Sequence, residues 1–313
     1  MAFGISSWYR TCNPVVTEMI SDLASNVEQA PAALFHRRLL TPWTWFRAVT
    51  LIGLIAFLFT PVLTDMAHDW WTEPALSQGM LLPPLALYMA WLHRERTLRC
   101  PAAPDARGLW LTAFACFTFL LGKLASEFFM MRMSFVILLA ALIWTFWGLP
   151  RLRTLSFPLL LLATMVPLPA IIYNSLAAPL QLFASDFATR IAQACGVSLF
   201  RDGNIIQLAG ISLGVAEACS GLNSLSALIV GSLLMGYLYC QSLPSRLALV
   251  VLSIPLAIAI NVIRIAGTAV LADYNQEFAL GFYHAFSGWL VFVAGSLLLY
   301  LFARLLHGVL DAQ

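Results

Sequence analysis

The sequence predicts an all-α fold: a polytopic transmembrane helical bundle of about eight spans. A small outside-facing hairpin and an interfacial helix are expected before the sixth span. Three observations carry that expectation. Hydrophobic residues make up 61% of the chain and charged residues only 10%, whereas a soluble domain carries roughly 25% charge. Several apolar runs reach about 20 residues, the length needed to cross a hydrocarbon core. The arginines gather in alternate loops, the asymmetry expected of a multi-pass chain. A soluble enzyme is excluded on these grounds. The net charge of +2 says nothing about partners, whereas its distribution does; no nucleic-acid partner is expected.

Taken in order, residues 1–42 form a tail that contains Glu18, Asp22 and Glu28 and lacks the apolar core of a signal peptide. It is expected to stay uncleaved and cytoplasmic. Residues 43–313 are expected to form one membrane domain, with spans at 43–63, 75–92, 109–126, 128–148, 155–173, 222–241, 246–271 and 288–306. Arg37, Arg38 and Arg47 flank or open the first span. Arg94, Arg96, Arg99 and Arg107 follow the second, Arg151 and Arg153 the fourth, Arg246 the sixth, and Arg304 ends the eighth. The loops 64–74 and 272–287 hold no Lys or Arg. That distribution puts both termini on the cytoplasmic side.

The longest outside segment, 174–221, has its own pattern. Leu176, Leu180, Phe183, Phe187 and Ile191 recur at helical spacing, with Gln181, Asp186 and Arg190 between them. Such a helix suits the surface of a leaflet. Asp202-Gly203-Asn204 then opens an alternation of Ile206, Leu208, Ile211, Leu213 and Val215, broken by Gly210. It reads as a hairpin leading toward Cys219.

The six cysteines (Cys12, Cys100, Cys116, Cys195, Cys219 and Cys240) show neither a CxxC pair nor metal-ligand spacing. Cys219 stands out by its place, between a polar, turn-prone run and the apolar run that reaches Tyr239. A thiol at a helix start feels the positive end of the backbone dipole, which favours the reactive thiolate. Taken alone, a cysteine is more often an inert packing residue. In the seventh span, Asn261, Arg264 and Thr268 share one helix face. An arginine there costs about 2.5–3.5 kcal/mol to insert and therefore needs a compensating role. A structural arginine bonded to carbonyls is the competing account. His284, just before the eighth span, can exchange protons near neutral pH, although a lone interfacial histidine often only packs. His68 competes with it on the same side. Cys219, Arg264 and His284 fall at similar depth at the outer ends of three consecutive spans.

At these residues the chain resembles the exosortase/archaeosortase family. The matching features are the block from Glu217 to Leu225 (EACSGLNSL), the N-x-x-R of Asn261 to Arg264, and Tyr283-His284 with Gly288 four positions on. Trp70-Trp71 and Ser77-Gln78-Gly79-Met80-Leu81-Leu82-Pro83 resemble the family's early block. Many members carry histidine where this chain has Gln78, a departure expected to leave the core chemistry untouched. The resemblance covers about residues 43–306 and implies a membrane-embedded cysteine transpeptidase that cuts the C-terminal sorting signal of exported proteins, of the PEP-CTERM kind. Cys219 would then be the nucleophile and His284 the acid–base partner, and Arg264 would stabilise the thiolate or oxyanion. Glu217, Ser220, Asn223, Asn261 and Ser287 would line the cavity or orient the histidine. No metal or cofactor is called for. The implied partners are sorting signals, the bilayer and a glycan or lipid acceptor, and the implied site faces the periplasm across a bacterial inner membrane. Two readings compete. One is a transporter or exopolysaccharide-export component binding an anionic substrate at Arg264. The other is a membrane acyltransferase using Cys219. A disulfide between Cys195 and Cys219 would silence the nucleophile.

Overall fold

The computed structural model of the chain describes residues 42–73, 76–208, 211–214, 222–275 and 281–310. The N-terminal tail lies outside them. The chain is dominated by helices and divides into two compact units, one of residues up to His68 with Leu87–Leu159, the other of Asp69–Ala86 with Leu160–Gln313.

The first unit holds most of α1 (Pro42–Thr72), the end of α2 (Leu82–Leu92) and the short α3 (Arg94–Arg99). It also holds α4 (Gly108–Leu124), α5 (Phe128–Trp147) and the short α6 (Leu149–Thr154). Three residues join α4 to α5, which forces an antiparallel pair, and the Glu127 side chain accepts from the Met130 N–H to cap the second helix. Phe59, Val62, Ala115 and Leu138 form the core. Phe59 tilts against Phe119 and Phe135 with ring centroids 5.0 and 5.3 Å away. Burying such rings at close offset contributes more than their area alone.

The second unit begins with the last residues of α1 and a 3₁₀ turn, Ser77–Leu81, which leads into α2. It continues with the end of α7 (Ser156–Thr164), α8 (Ala170–Ala194), strands β1 (Leu199–Asp202), β2 (Ile205–Leu208) and β3 (Ile211–Gly214), and helices α9 (Leu222–Tyr239), α10 (Leu243–Tyr274) and α11 (Gly281–Leu310). Helix α10 is the hub. Its C-terminal portion (Val262, Ile265, Ala266, Ala269, Ala272) packs on α8 and the sheet. Its earlier part (Leu249, Ala257) packs on Leu228 of α9 and on Leu299 and Ala303 of α11.

Among the described residues, four helices are long and apolar enough to cross a membrane: Val49–Thr72, Phe128–Trp147, Leu243–Tyr274 and Phe286–Gly308. Gly108–Leu124 and Ser224–Tyr239 are shorter apolar helices at the third and sixth expected spans. The other two expected spans are not single helices. Residues 75–92 start with the 3₁₀ turn before the 11-residue α2. Residues 155–173 are interrupted at 165–169, where Pro167 and Pro169 withhold backbone N–H groups and disfavour the helical conformation in the residue before each. Among the described residues, six of the eight expected spans thus coincide with single apolar helices.

The segment expected to lie outside also differs in detail. The expected hairpin is a three-stranded antiparallel meander in the order β1-β2-β3, with Leu199 opposite Leu208 and Leu208 opposite Ile211. The added strand is Leu199–Asp202, whose half-buried, exposed alternation lets Leu199 join the core. The helix expected over 175–195 is α8, and it buries its small residues. Ala184, Ala188 and Ala192 face the sheet and α10, while Phe183, Phe187 and Ile191 are exposed. An apolar stripe directed off the protein is what an interfacial helix requires.

Candidate active site

The candidate site is built in the second unit, where α10 supplies its most fully described residue. Arg264 lies ten residues before the end of that helix. Its guanidinium Nη2 is buried and has no hydrogen-bond partner among the described residues. A buried cationic donor without an acceptor is costly, so such a group usually has a ligand to meet. One turn along, the Thr268 hydroxyl donates to the Arg264 carbonyl at 2.9 Å. That bond leaves the face shared by the two residues polar inside an apolar helix. Asn261, on the same face, is only 2% exposed.

Helix α11 meets this face through glycine. A Cβ built on Gly288 would lie 3.6 Å from Arg264 Nη1, so the absence of a side chain brings the α11 backbone against the guanidinium. Seven residues on, a Cβ at Gly295 would lie 3.0 Å from Ile260 of α10 and 3.3 Å from Leu228 of α9. Those two glycines, with Leu299 and Ala303 beyond them, mark the face of α11 that packs on its neighbours. His284 is the fourth residue of α11 and precedes Gly288 by one turn. Its backbone position is therefore on the same face. Ser287 is half-buried in the next position along from Phe286.

Cys219, Glu217 and Ser220 lie outside the described residues, and Asn223 is placed by its backbone alone, in the first turn of α9. The structure thus brings Arg264 and the start of α11 together and shows α9, which follows Cys219 by three residues, packed against both helices. The competing His68 belongs to the other unit. Cys195 is an exposed free thiol.

Ser226 was not distinguished by sequence reasoning. Gln78 Nε2 donates to its Oγ at 2.8 Å across a separation of 148 residues. Gln78 sits in the 3₁₀ turn beside Gly79, over which the Trp70 indole lies so closely that a Cβ there would come within 2.2 Å of Nε1. The early Trp70 and Ser77–Pro83 blocks therefore fold onto one another. The only sequence signal for this was the shared resemblance of the two blocks.

The family model for transmembrane exosortase (Exosortase_EpsH) matches residues 70–301. No curated protein and no solved structure matches the chain.

Proposed function

The chain belongs to the transmembrane exosortase family, and from that premise we propose that it is a cysteine transpeptidase cutting C-terminal sorting signals of exported proteins. The observation that carries this reading is the meeting of Arg264 with α11 at Gly288, one turn beyond His284. It supports a shared site for Arg264 and His284, beside the helix α9 that follows Cys219 by three residues in the chain.

In this reading, the Cys219 thiolate attacks the scissile carbonyl to form a tetrahedral oxyanion. Arg264 Nη2, buried and lacking a partner among the described residues, stabilises that developing charge, which is where a fixed donor acts most strongly. His284 gives a proton to the departing amine, and the substrate is left as a thioester on Cys219. An acceptor nucleophile then resolves the thioester while His284 takes its proton. Both termini are cytoplasmic and the site faces outward. The membrane-spanning part of the substrate reaches the site from within the bilayer.

Replacing Cys219 by Ala should abolish processing of a co-expressed substrate bearing a motif, a spanning helix and a basic tail. The expected loss is at least about 10³-fold, as for other catalytic nucleophiles, with membrane abundance of the variant unchanged. A thioester-linked substrate fragment on Cys219, detected by mass spectrometry, is the companion result. The buried Nη2, without a partner among the described residues, also suits an anion-binding transporter. Unchanged processing by Cys219→Ala would overturn the enzyme reading in favour of that one.

A further inference from the structure

We infer that the end of the first unit where α2 and α5 finish and α4 begins is a docking surface for the headgroups of anionic phospholipids. Charge is the first observation. Residues 91–110 and 147–155 hold six arginines (Arg94, Arg96, Arg99, Arg107, Arg151 and Arg153) against two acids, Glu95 and Asp105. That surplus of four positive charges exceeds the +2 of the whole chain. Both acids are already engaged. Glu95 lies 3.8 Å from Arg99. Asp105 accepts the Arg107 backbone N–H at 2.9 Å and the Trp144 indole N–H at 3.2 Å. The exposed Arg96 side chain, by contrast, has no bonding partner among the described residues.

Positive charge at helix ends is expected of any multi-pass chain, so the second observation is that this surface is built. The Thr97 and Thr154 hydroxyls meet at 3.2 Å, and Arg151 Nε donates to the Cys100 carbonyl at 3.1 Å. Pairing Thr97 with Thr154 and Cys100 with Arg151 sets the short α3 and α6 side by side and antiparallel. The Ala103 N–H donates to the Trp147 carbonyl at 3.2 Å, which holds the loop after α3 against the end of α5. The arginines are thus carried on a fixed surface and not on loose tails.

Depth is the third observation. Trp91, Trp110 and Trp147, near the ends of α2, α4 and α5, are all exposed, and the Arg94 guanidinium lies 4.1 Å over the Trp91 ring. Indole rings left open at helix ends sit at the level of lipid headgroups. The anion met at that depth is a lipid phosphate, whose oxygens a guanidinium fork binds in pairs. The occupant is therefore a lipid headgroup and not a soluble polyanion.

Native mass spectrometry of the full-length protein, released from nanodiscs of phosphatidylcholine mixed with phosphatidylglycerol, reads the retained lipids. Wild type should retain phosphatidylglycerol in preference. Arg96→Gln should lower that preference about fivefold, the share of one arginine near an anionic surface, and Arg96→Lys, which keeps the charge, should retain most of it. Arg304→Gln removes another exposed arginine, near the end of α11, and should leave the preference near wild type. The proposal is overturned by the lack of a preference in wild type, by an unchanged preference in Arg96→Gln, or by an equal loss in Arg304→Gln, which would reduce the surface to general charge attraction. Displacement of phosphatidylglycerol by excess inorganic phosphate also overturns it and assigns these arginines to a soluble phosphate ligand.

Discussion

Gly79 and Gly288 show how differently two glycines can be required. A methyl group at Gly79 would collide with the Trp70 indole at 2.2–2.7 Å, whereas one at Gly288 would meet Arg264 Nη1 at an ordinary 3.6 Å. Gly79→Ala should therefore cost about 1–3 kcal/mol through overpacking, read as a lower unfolding temperature in detergent, and Gly288→Ala should leave that temperature near wild type. Equal unfolding temperatures for the two variants would contradict the packing of Trp70. Residues of this kind differ in how visible they are in the sequence. Arg264 is conspicuous because a charge inside an apolar run demands a reason. Gln78 and Ser226 are not: 148 residues separate them, and a serine in a helix is unremarkable until its partner is placed beside it.

For the elements, hydropathy located most helices but could not see where the backbone stops them. Residues 155–173 are apolar but for Ser156 and Thr164, and the interruption at 165–169 comes from Pro167 and Pro169. Helix α8 was legible as an amphipathic helix, yet its orientation runs against the soluble rule because alanine rather than phenylalanine is buried. Small residues let α8 approach the sheet and α10 closely, while its aromatic rings Phe183 and Phe187 are left exposed. Ala188, at 0% exposure, should therefore tolerate enlargement poorly. Ala188→Leu is expected to destabilise by about 1–3 kcal/mol and Phe187→Leu by less than about 0.5 kcal/mol, as for surface changes. Thermal unfolding of both variants in one detergent checks the contrast, and equal shifts would argue against the observed burial.

Across the whole molecule, composition alone established a helical membrane protein, and the arginine distribution supplied an orientation that the fold itself does not display. The motif trio could be read as a family because its members are far apart in sequence and in fixed order. The two-unit division could not, since Asp69–Ala86 belongs with helices that begin more than 70 residues later. The proposed orientation puts the segment containing Cys195 outside. A membrane-impermeant maleimide should therefore label Cys195, which is exposed, in spheroplasts. Labelling confined to inverted vesicles would reverse the proposed topology.

Helix α10 is 32 residues long, about 48 Å at the helical rise, against a hydrocarbon thickness of about 30 Å. It must lean, protrude, or do both. Arg264 is ten residues from its end, about 15 Å along the axis, so the overhang decides how much lipid its charge meets. Surplus length can thus act as a depth gauge: the more of this helix that stands clear of the hydrocarbon at its Tyr274 end, the less lipid the guanidinium has to meet.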